Sequence, residues 1–351
     1  MISRAWAALF QPRGGEWQTI SWREAADQVR RMASAFKSMN LPPKSAIAIS
    51  GRNCAHWFLA DLAIAMAGHI SVGLYPKQAD SAVRYILKHC DARAIFIGPM
   101  MDPEEFGAAL PEGIIKIAMP YPDLGIECHY HWAGLIEDHS PMVNPVARAP
   151  EDLVTLVYTS GATGMPKAVM LSHRNLLSNA IATAEALGLR ADDVIHTQLP
   201  LAHLFGRTVC VYGATWCGAS LVFGAGAAAL GDELASQKPT VMIGVPRIYE
   251  RLYADWQQDL ESAPASRRAF SRLAVEAGWA VRRRAPGTLR SRLLPSALVG
   301  RHSASLQRHL GGRMRLAVSG GAALSPLIGR FFCALGVPLV QGYGLTEAGP
   351  V

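Results

Sequence analysis

Short apolar runs alternate with segments of helical apolar spacing along the first hundred residues. The order is 45–50 (strand), 54–68 (helix), 70–74 (strand), 80–90 (helix) and 94–98 (strand). Strands that are apolar throughout and are joined by helices are typical of a mainly parallel sheet covered on both faces. The pattern therefore predicts an α/β protein.

The helix predicted within residues 16–40 has a recognisable start. Thr19 or Ser21 can serve as its N-cap, and Glu24 stands three positions after Ser21, as a capping box requires. Apolar residues then recur at helical spacing up to Phe36. One face of this helix is expected to be buried.

The alternation resumes after a proline-rich stretch, 99–150, which we interpret as an irregular connection and a subdomain boundary. Residues 151–351 form the second predicted part. Its predicted elements are strands at 153–158, 169–171, 241–245 and 314–319 and a helix at 175–187. Ligands of open parallel sheets sit beyond the carboxyl ends of strands, so the turns that follow these strands are candidate sites.

Composition fits a globular intracellular protein. Half of the 351 residues are hydrophobic, and the six cysteines include no Cys-x-x-Cys pair, which favours free thiols in a reducing compartment such as the cytoplasm. Cys128, His129 and His131 lack a second ligand pair at zinc-like spacing, so a metal site is not favoured there. The N-terminal apolar stretch is too short for an export signal.

One uncharged segment, Thr208 to Gly231, is long enough to span a bilayer. It contains five glycines and breaks into short apolar pieces. Two buried elements joined by a turn explain this pattern better than a membrane span does.

Positive charge is concentrated in an arginine-rich helical segment, 255–315. Between Arg267 and Arg315 there are twelve arginines and one acidic residue, Glu276. Such a surface can contact an anionic membrane, here at the inner membrane surface, and the alternative is a solvated helical face. No aromatic-interleaved RNA signature accompanies the charge, so a nucleic acid partner is not expected.

The stretch YTSGATGMPKAVMLSH, residues 158–173, carries the clearest chemistry. Its glycines allow backbone N–H groups to approach an anion closely, and Lys167 adds a point charge. It is not a Walker A loop, because Pro166 stands where a Walker helix would begin. The loop predicts binding of a nucleoside triphosphate, and the alternative is an ordinary turn.

Other residues have chemistry that suits the same ligand. Tyr343 can stack on a purine or be a core residue, and Glu347 can bind Mg²⁺ together with phosphate oxygens or be an ordinary surface residue. Thr346 offers a hydroxyl to a phosphate, or it caps a turn. His203, between Leu201 and Phe205, is either a buried structural histidine or part of the site.

Four ordered motifs resemble those of adenylate-forming enzymes, the superfamily of acyl-CoA synthetases, luciferases and peptide-synthetase adenylation domains. They are the loop at 158–173, LPLAHLFGR (199–207), SGGAAL (319–324) and QGYGLTEAG (341–349). The segments GVPRIYERLY (244–253) and 53–76 look most like the long-chain fatty acid CoA ligase branch. The resemblance implies the large N-terminal domain of that superfamily, with two packed, mainly parallel sheets flanked by helices.

The resemblance also implies a two-step reaction that uses ATP, Mg²⁺ and coenzyme A. A fatty acid carboxylate attacks the α-phosphate to give an acyl-adenylate, and the thiol of coenzyme A then displaces AMP. The implied catalytic residues are Lys167, His203, Thr346 and Glu347, with Glu347 also on the metal. The implied nucleotide-binding positions are Thr159, Ser160, Gly161, Ala162, Thr163, Gly164, Lys167, Gly320, Gly321, Ala322, Gly342, Tyr343, Gly344 and Thr346.

The chain departs from this pattern at three places. Ala162 stands where the family usually has Thr, and Ala168 where it usually has Gly. The sequence ends at Val351, before the ribose-binding aspartate, the hinge and the C-terminal domain with its catalytic lysine. We therefore expect a truncated N-terminal domain that binds ATP weakly and makes little acyl-CoA.

Two alternatives remain open on the sequence alone. One is a fatty acyl-AMP ligase or another carboxylate-activating member of the same superfamily. The other is a non-catalytic nucleotide- or lipid-binding protein that keeps the fold; Ala162, Ala168 and the missing domain favour it, whereas Lys167, Thr346 and Glu347 oppose it.

Overall fold

The computed structural model describes residues 7–100, 102–122, 124–159, 164–283 and 303–350. The chain divides into two compact units. Unit 1 comprises Met1–Arg190, Pro200–Phe223 and Gly344–Val351, and unit 2 comprises Ala191–Leu199 and Gly224–Tyr343. The prediction of an α/β protein with two mainly parallel sheets flanked by helices is confirmed.

Strands and helices alternate along the described residues. In chain order they are β1 (Ala7–Arg13), β2 (Glu16–Ser21), α1 (Trp22–Ser38), β3 (Ala46–Ser50), α2 (Ala55–Met66), β4 (Ile70–Gly73), α3 (Asp80–His89), β5 (Ala94–Ile97), α4 (Pro103–Ala108), β6 (Ile115–Ala118), β7 (Tyr130–His131), α5 (Trp132–Asp138), β8 (Leu153–Thr159), β9 (Lys167–Ser172), α6 (His173–Ala186), β10 (Val194–Thr197), a π-helical turn (Gly206–Tyr212), α7 (Gly213–Cys217), β11 (Ser220–Phe223), a 3-10 turn (Ala227–Ala229), α8 (Leu230–Gln237), β12 (Val241–Gly244), α9 (Pro246–Glu261), α10 (Ala265–Arg283), α11 (303–309), β13 (Leu316–Ser319), α12 (Pro326–Ala334), β14 (Leu339–Gln341) and a second 3-10 turn (Thr346–Ala348).

Unit 1 is built on strands in the order β7-β6-β5-β3-β4-β8-β9. All neighbours in this order are parallel except β8 and β9, which form an antiparallel pair at one edge. Every residue of β3 and β5 is buried, as expected of parallel strands covered on both faces. Unit 1 also contains β1, which pairs in parallel with β11 and antiparallel with β2.

Helix α1 begins as the sequence predicts. The carboxylate of Glu24 accepts a hydrogen bond from the Ser21 N–H at 2.7 Å, and the Ser21 hydroxyl accepts one from the Glu24 N–H at 3.2 Å. These reciprocal bonds satisfy backbone donors that a helix start leaves without partners. The helix then buries its apolar stripe, including Met32 and Phe36.

Unit 2 contains four parallel strands in the order β14-β13-β12-β10. Its core lies between these strands and helices α9 and α12, where Tyr249 is fully buried. The Tyr249 hydroxyl donates to the Met242 and Val318 carbonyls at 3.0 and 2.8 Å. The hydroxyl of this buried ring therefore has hydrogen-bond partners on the strands against which the ring packs.

Two predictions about the connections had different outcomes. The interpretation of 99–150 as irregular is wrong, because α4, β6, β7 and α5 lie there and the stretch falls wholly within unit 1. The interpretation of 208–231 as two buried elements and a turn is confirmed, since a helical segment ends at Cys217 and β11 follows. In the described part of the chain, no helix has the length and apolar character needed to cross a membrane.

Candidate active site

The predicted phosphate loop is the tip of a β-hairpin. Strand β8 runs parallel to β4 and then returns as β9, so that Thr159 and Lys167 face each other across the antiparallel pair. The loop therefore follows the carboxyl end of a parallel strand, as predicted. Ser160, Gly161, Ala162 and Thr163 lie outside the described residues.

The described residues of the hairpin tip are open to solvent. Gly164 has φ +86°, a left-handed conformation that favours glycine, and a Cβ built there would have no neighbour within 4 Å. Lys167 is exposed at the first position of β9. The tip therefore presents a cation and unhindered backbone, which is the chemistry that a polyphosphate requires.

The predicted magnesium motif lies against the same hairpin within unit 1. The 3-10 turn Thr346–Ala348 packs on β9, with Thr346 half-buried and Glu347 exposed. Gly349 follows at φ +96°, where the chain passes close to the Asn175 carbonyl. Glu347 is thus held on an ordered turn that starts beside strand β9.

The single carboxylate at this turn fits one mode of Mg²⁺ binding, in which substrate phosphates and water supply the other ligands. Across the described ranges, no group of three or more His, Cys, Asp or Glu side chains is arranged to hold a metal ion by itself. Magnesium usually keeps several waters and is bound by one or two carboxylates plus substrate phosphates. A lone exposed carboxylate at Glu347 matches that mode of binding.

The predicted adenine-binding residues share one strand edge in unit 2. Strands β12, β13 and β14 end in register, with Gly244 opposite Ser319 and Ser319 opposite Gln341. Gly320 therefore follows β13, and Gly342 follows β14, at the same carboxyl edge. The structure thus brings these two predicted positions together, as the rule for ligands of parallel sheets anticipates.

The backbone donors at this edge are already used. The Gly320 N–H donates to the Gly244 carbonyl at 3.1 Å, and the Gly342 N–H donates to the Ser319 carbonyl at 2.8 Å. Neither N–H is left for a base, so these glycines can serve a ligand only by close approach of the backbone or through their carbonyl oxygens. Gly321 and Ala322 are exposed, and Gly321 has φ +79°.

Tyr343 is the most exposed of the large hydrophobic side chains along the described chain, at 82%. The alternative that it is a core residue is therefore wrong. An aromatic ring left in solvent at a strand edge is available for stacking on a base. Gly344, the next residue, is also exposed and begins the last segment of unit 1.

His203 is half-buried in a tight turn between Pro200 and Arg207. Its N–H donates to the Pro200 carbonyl at 2.9 Å, and its Nδ1 accepts from the Phe205 N–H at 3.2 Å. Burial lowers the pKa of His203 below its usual value, so the ring is neutral at neutral pH. Because Nδ1 accepts a hydrogen bond, the ring proton is on Nε2.

The turn that carries His203 is anchored by two residues that the sequence analysis did not single out. The Asn53 side chain accepts from the Leu201 N–H at 2.9 Å. A Cβ built on Gly73 would lie 3.0 Å from the Ala202 Cα and 3.2 Å from the Trp57 ring. Gly73 therefore permits a close approach of the turn to the end of β4.

A buried ion pair lies directly after this turn. The Arg207 Nη1 donates to Asp61 Oδ1 at 3.0 Å, and the two side chains are 1% and 2% exposed. The Tyr212 hydroxyl also donates to Asp61. Each of the two charges stands in an otherwise apolar sequence run, which marks both residues as candidates for burial but does not show that they pair.

The structure is that of an α/β protein in which a hairpin with an exposed lysine lies at one edge of a mainly parallel sheet. A family profile described as "AMP-binding enzyme" matches residues 3–351, and the chain belongs to this family. It is 30% identical over 370 residues to long chain acyl-CoA synthetase 1 of Arabidopsis thaliana, covering 97% of this chain and 54% of that protein. It is also 30% identical to the long-chain-fatty-acid–CoA ligase FadD15 of Mycobacterium bovis, covering 95% of this chain and 56% of that protein.

Solved structures share the fold. One is the anthranilate CoA ligase AuaEII in complex with anthranoyl-AMP, with a TM-score of 0.73 and 20% identity, covering 98% of this chain and 58% of that one. Another is a benzoate CoA ligase from Burkholderia xenovorans, with a TM-score of 0.70 and 20% identity, covering 98% and 59%. The chain spans about half the length of the curated relatives that it matches.

Proposed function

We propose that this chain is the ATP-binding part of an enzyme that activates a carboxylic acid as an acyl-adenylate. The observation that carries the proposal is that Lys167 lies on the β8–β9 hairpin of unit 1 and that the Glu347 turn packs against the same hairpin. Its relatives named as long-chain acyl-CoA synthetases support a long-chain fatty acid as the acid and coenzyme A as the acceptor of the acyl group.

In the proposed first step, a carboxylate oxygen bonds to the α-phosphorus of ATP and the bond to the bridging oxygen breaks, releasing pyrophosphate. The substrate acid is already ionised at neutral pH, so no residue has to remove its proton. Positioning and neutralisation of charge carry such a step. In the second step, the thiol sulfur of coenzyme A bonds to the acyl carbon, the bond from that carbon to the AMP oxygen breaks, and the thiol proton passes to solvent as AMP leaves.

Each residue of the site has a role within this proposal. Lys167 offsets charge on the departing phosphates, Thr346 donates its hydroxyl to the α-phosphate, and Tyr343 stacks on the adenine. Glu347 would hold Mg²⁺, which supplies further neutralisation of phosphate charge. His203, neutral and protonated on Nε2, donates that N–H to the substrate carboxylate.

Calorimetry with MgATP tests the nucleotide site. We expect Lys167→Ala and Glu347→Gln each to weaken binding at least about tenfold, because each removes a charged partner. The exposed residues Lys77 and Glu185 provide the controls Lys77→Ala and Glu185→Gln, which should bind as the wild type does. If Lys167→Ala and Glu347→Gln also bind normally, the site assignment fails.

Exchange of radiolabelled pyrophosphate into ATP tests the reaction and the acid together. A panel of long-chain fatty acids, benzoate and anthranilate is compared at saturating ATP. Exchange that depends on a long-chain acid supports the proposal, and exchange with only the aromatic acids corrects the substrate class. ATP binding without exchange for any acid favours a non-catalytic nucleotide-binding protein.

We also propose peripheral contact between the arginine-rich segment and anionic membranes. Part of this segment, 284–302, lies outside the described residues. Within α10, Phe270 and Leu273 are 52% and 57% exposed beside the exposed Arg272, a combination suited to the interface of an anionic bilayer. Sedimentation with phosphatidylserine vesicles at low salt should pellet the chain, and absence of pelleting excludes this contact.

A further inference from the structure

The Arg207 guanidinium joins four elements of unit 1. Its Nη1 donates to Asp61 on α2 and to the Ser71 hydroxyl on β4 at 3.2 Å, and its Nη2 donates to the Thr155 hydroxyl on β8 at 2.9 Å. Its charge also lies 5.7 Å from the centre of the Trp57 ring. Arg207 itself is the second residue of the π-helical turn Gly206–Tyr212, which follows His203.

Contacts connect Arg207 both with the turn that carries His203 and with strand β8, which leads into the phosphate loop. The Arg207 N–H donates to the His203 carbonyl at 3.1 Å, so the guanidinium and the histidine belong to one turn of chain. Thr155 lies on the strand that ends at Thr159, where the phosphate-loop hairpin begins. A single buried side chain therefore connects the His203 turn with the strand that leads into the loop.

This arrangement uses features that arginine has and lysine lacks. A guanidinium presents donors in a fixed planar fork, which here reaches three side chains in different directions, whereas an ammonium is a compact point charge. Well-packed apolar residues often stabilise a fold as well as a buried ion pair does, so stability alone does not account for this pair.

We propose that Arg207 is a positioning residue, whose guanidinium fixes the His203 turn against β8 so that the imidazole and the phosphate-loop hairpin keep one relative placement. The inference rests on the proposed function, which assigns His203 to the substrate carboxylate. Asn53 and Gly73 hold the N-terminal side of the turn, and Arg207 holds its C-terminal side.

Two variants test the proposal: one changes the guanidinium itself, and the other changes one of its hydrogen-bond partners. Arg207→Lys keeps the charge beside Asp61 but removes the fork. Thr155→Val removes the acceptor on β8, together with the hydrogen bond that the Thr155 hydroxyl donates to the Ser71 carbonyl at 2.8 Å. It leaves the ion pair intact, so it remains informative if Arg207→Lys does not fold. Arg315→Lys is the matched control, because Arg315 also pairs with a carboxylate that is 2% exposed, that of Asp193, but in unit 2.

Nuclear magnetic resonance of ¹⁵N-histidine-labelled chain reads the His203 ring directly. In the wild type we expect a single Nε2–H tautomer and a titration midpoint below the ordinary histidine value. In Arg207→Lys and Thr155→Val the Nδ1 resonance should move toward a mixture of tautomers and the midpoint should rise, as the turn loosens and admits water. The control should leave both unchanged.

Pyrophosphate exchange provides the second measurement. We expect kcat to fall up to about 100-fold in Arg207→Lys, as small misplacements of reacting groups do, with little change in KM for ATP. Wild-type chain without exchange would refute the proposed function but leave the resonance test valid. Folded variants whose His203 resonances and midpoint match the wild type would overturn the positioning role.

Discussion

Replacement of Gly278 by alanine tests how α10 packs on α12 in unit 2. A Cβ built on Gly278 would lie 2.2 Å from the Ala334 carbonyl oxygen and 2.9 Å from its carbon. These are backbone atoms that cannot rotate away, so the two helices must separate. Overpacking of this kind costs ~1–3 kcal/mol, against a gain of at most ~1 kcal/mol from replacing glycine within a helix.

We therefore expect Gly278→Ala to lower the free energy of unfolding by up to ~2 kcal/mol, the difference between these two effects. Gly231→Ala in α8 is the control, because a Cβ there has no neighbour within 4 Å. It should raise the free energy of unfolding by at most ~1 kcal/mol. Both are measured by urea denaturation, with hydrogen exchange of the α10 and α12 amides to locate the effect. If Gly278→Ala stabilises the protein as Gly231→Ala does, the close packing of α10 on α12 is refuted.

Three further predictions concern unit 1. Asp61→Asn leaves the buried Arg207 without its anion and should cost ~3–5 kcal/mol in urea denaturation, whereas Arg174→Ala, at an exposed ion pair, should cost less than ~1 kcal/mol. Ser21→Ala removes the α1 capping box and should cost ~1 kcal/mol by the same measurement. Burial lowers the pKa of His56 from 6.5 to about 4. The unfolded chain therefore takes up this proton first, and His56 should contribute a fall of about 3 kcal/mol in the free energy of unfolding as pH decreases from the ordinary histidine pKa to the lowered one. Denaturation of the wild type and of His56→Gln across that range measures this contribution as a difference. A difference that does not change with pH across this window would contradict the burial of that ring.

The elements that could be predicted from the sequence are those whose residues are nearly all buried and apolar. Strand β3 and helix α2 are apolar almost throughout, and each was placed within a residue or two of its observed bounds. Strands β6 and β7 were missed, because β6 contains Lys116 and β7 is two exposed residues long. Such strands are defined by pairing with a neighbour, and pairing is not visible in local composition.

The candidate site divides in a similar way. The hairpin loop and the Glu347 motif were recognisable because their chemistry is contiguous in sequence. The pairing of Asp61 with Arg207 was not, because it joins residues 146 positions apart. The sequence also did not show that the Gly320 and Gly342 N–H groups donate hydrogen bonds to carbonyls of the neighbouring strands, because both hydrogen bonds depend on the register of the strands.

Strand β9 is the last strand of its sheet, and the Thr346–Ala348 turn rests against it. An uncovered terminal strand offers a row of backbone groups on which another chain can add a strand, which is a common route to aggregation. We therefore expect the turn that bears Glu347 also to protect this strand from pairing with another chain. A chain shortened to end at Gly344 should lose this cover and self-associate, even though its core is complete.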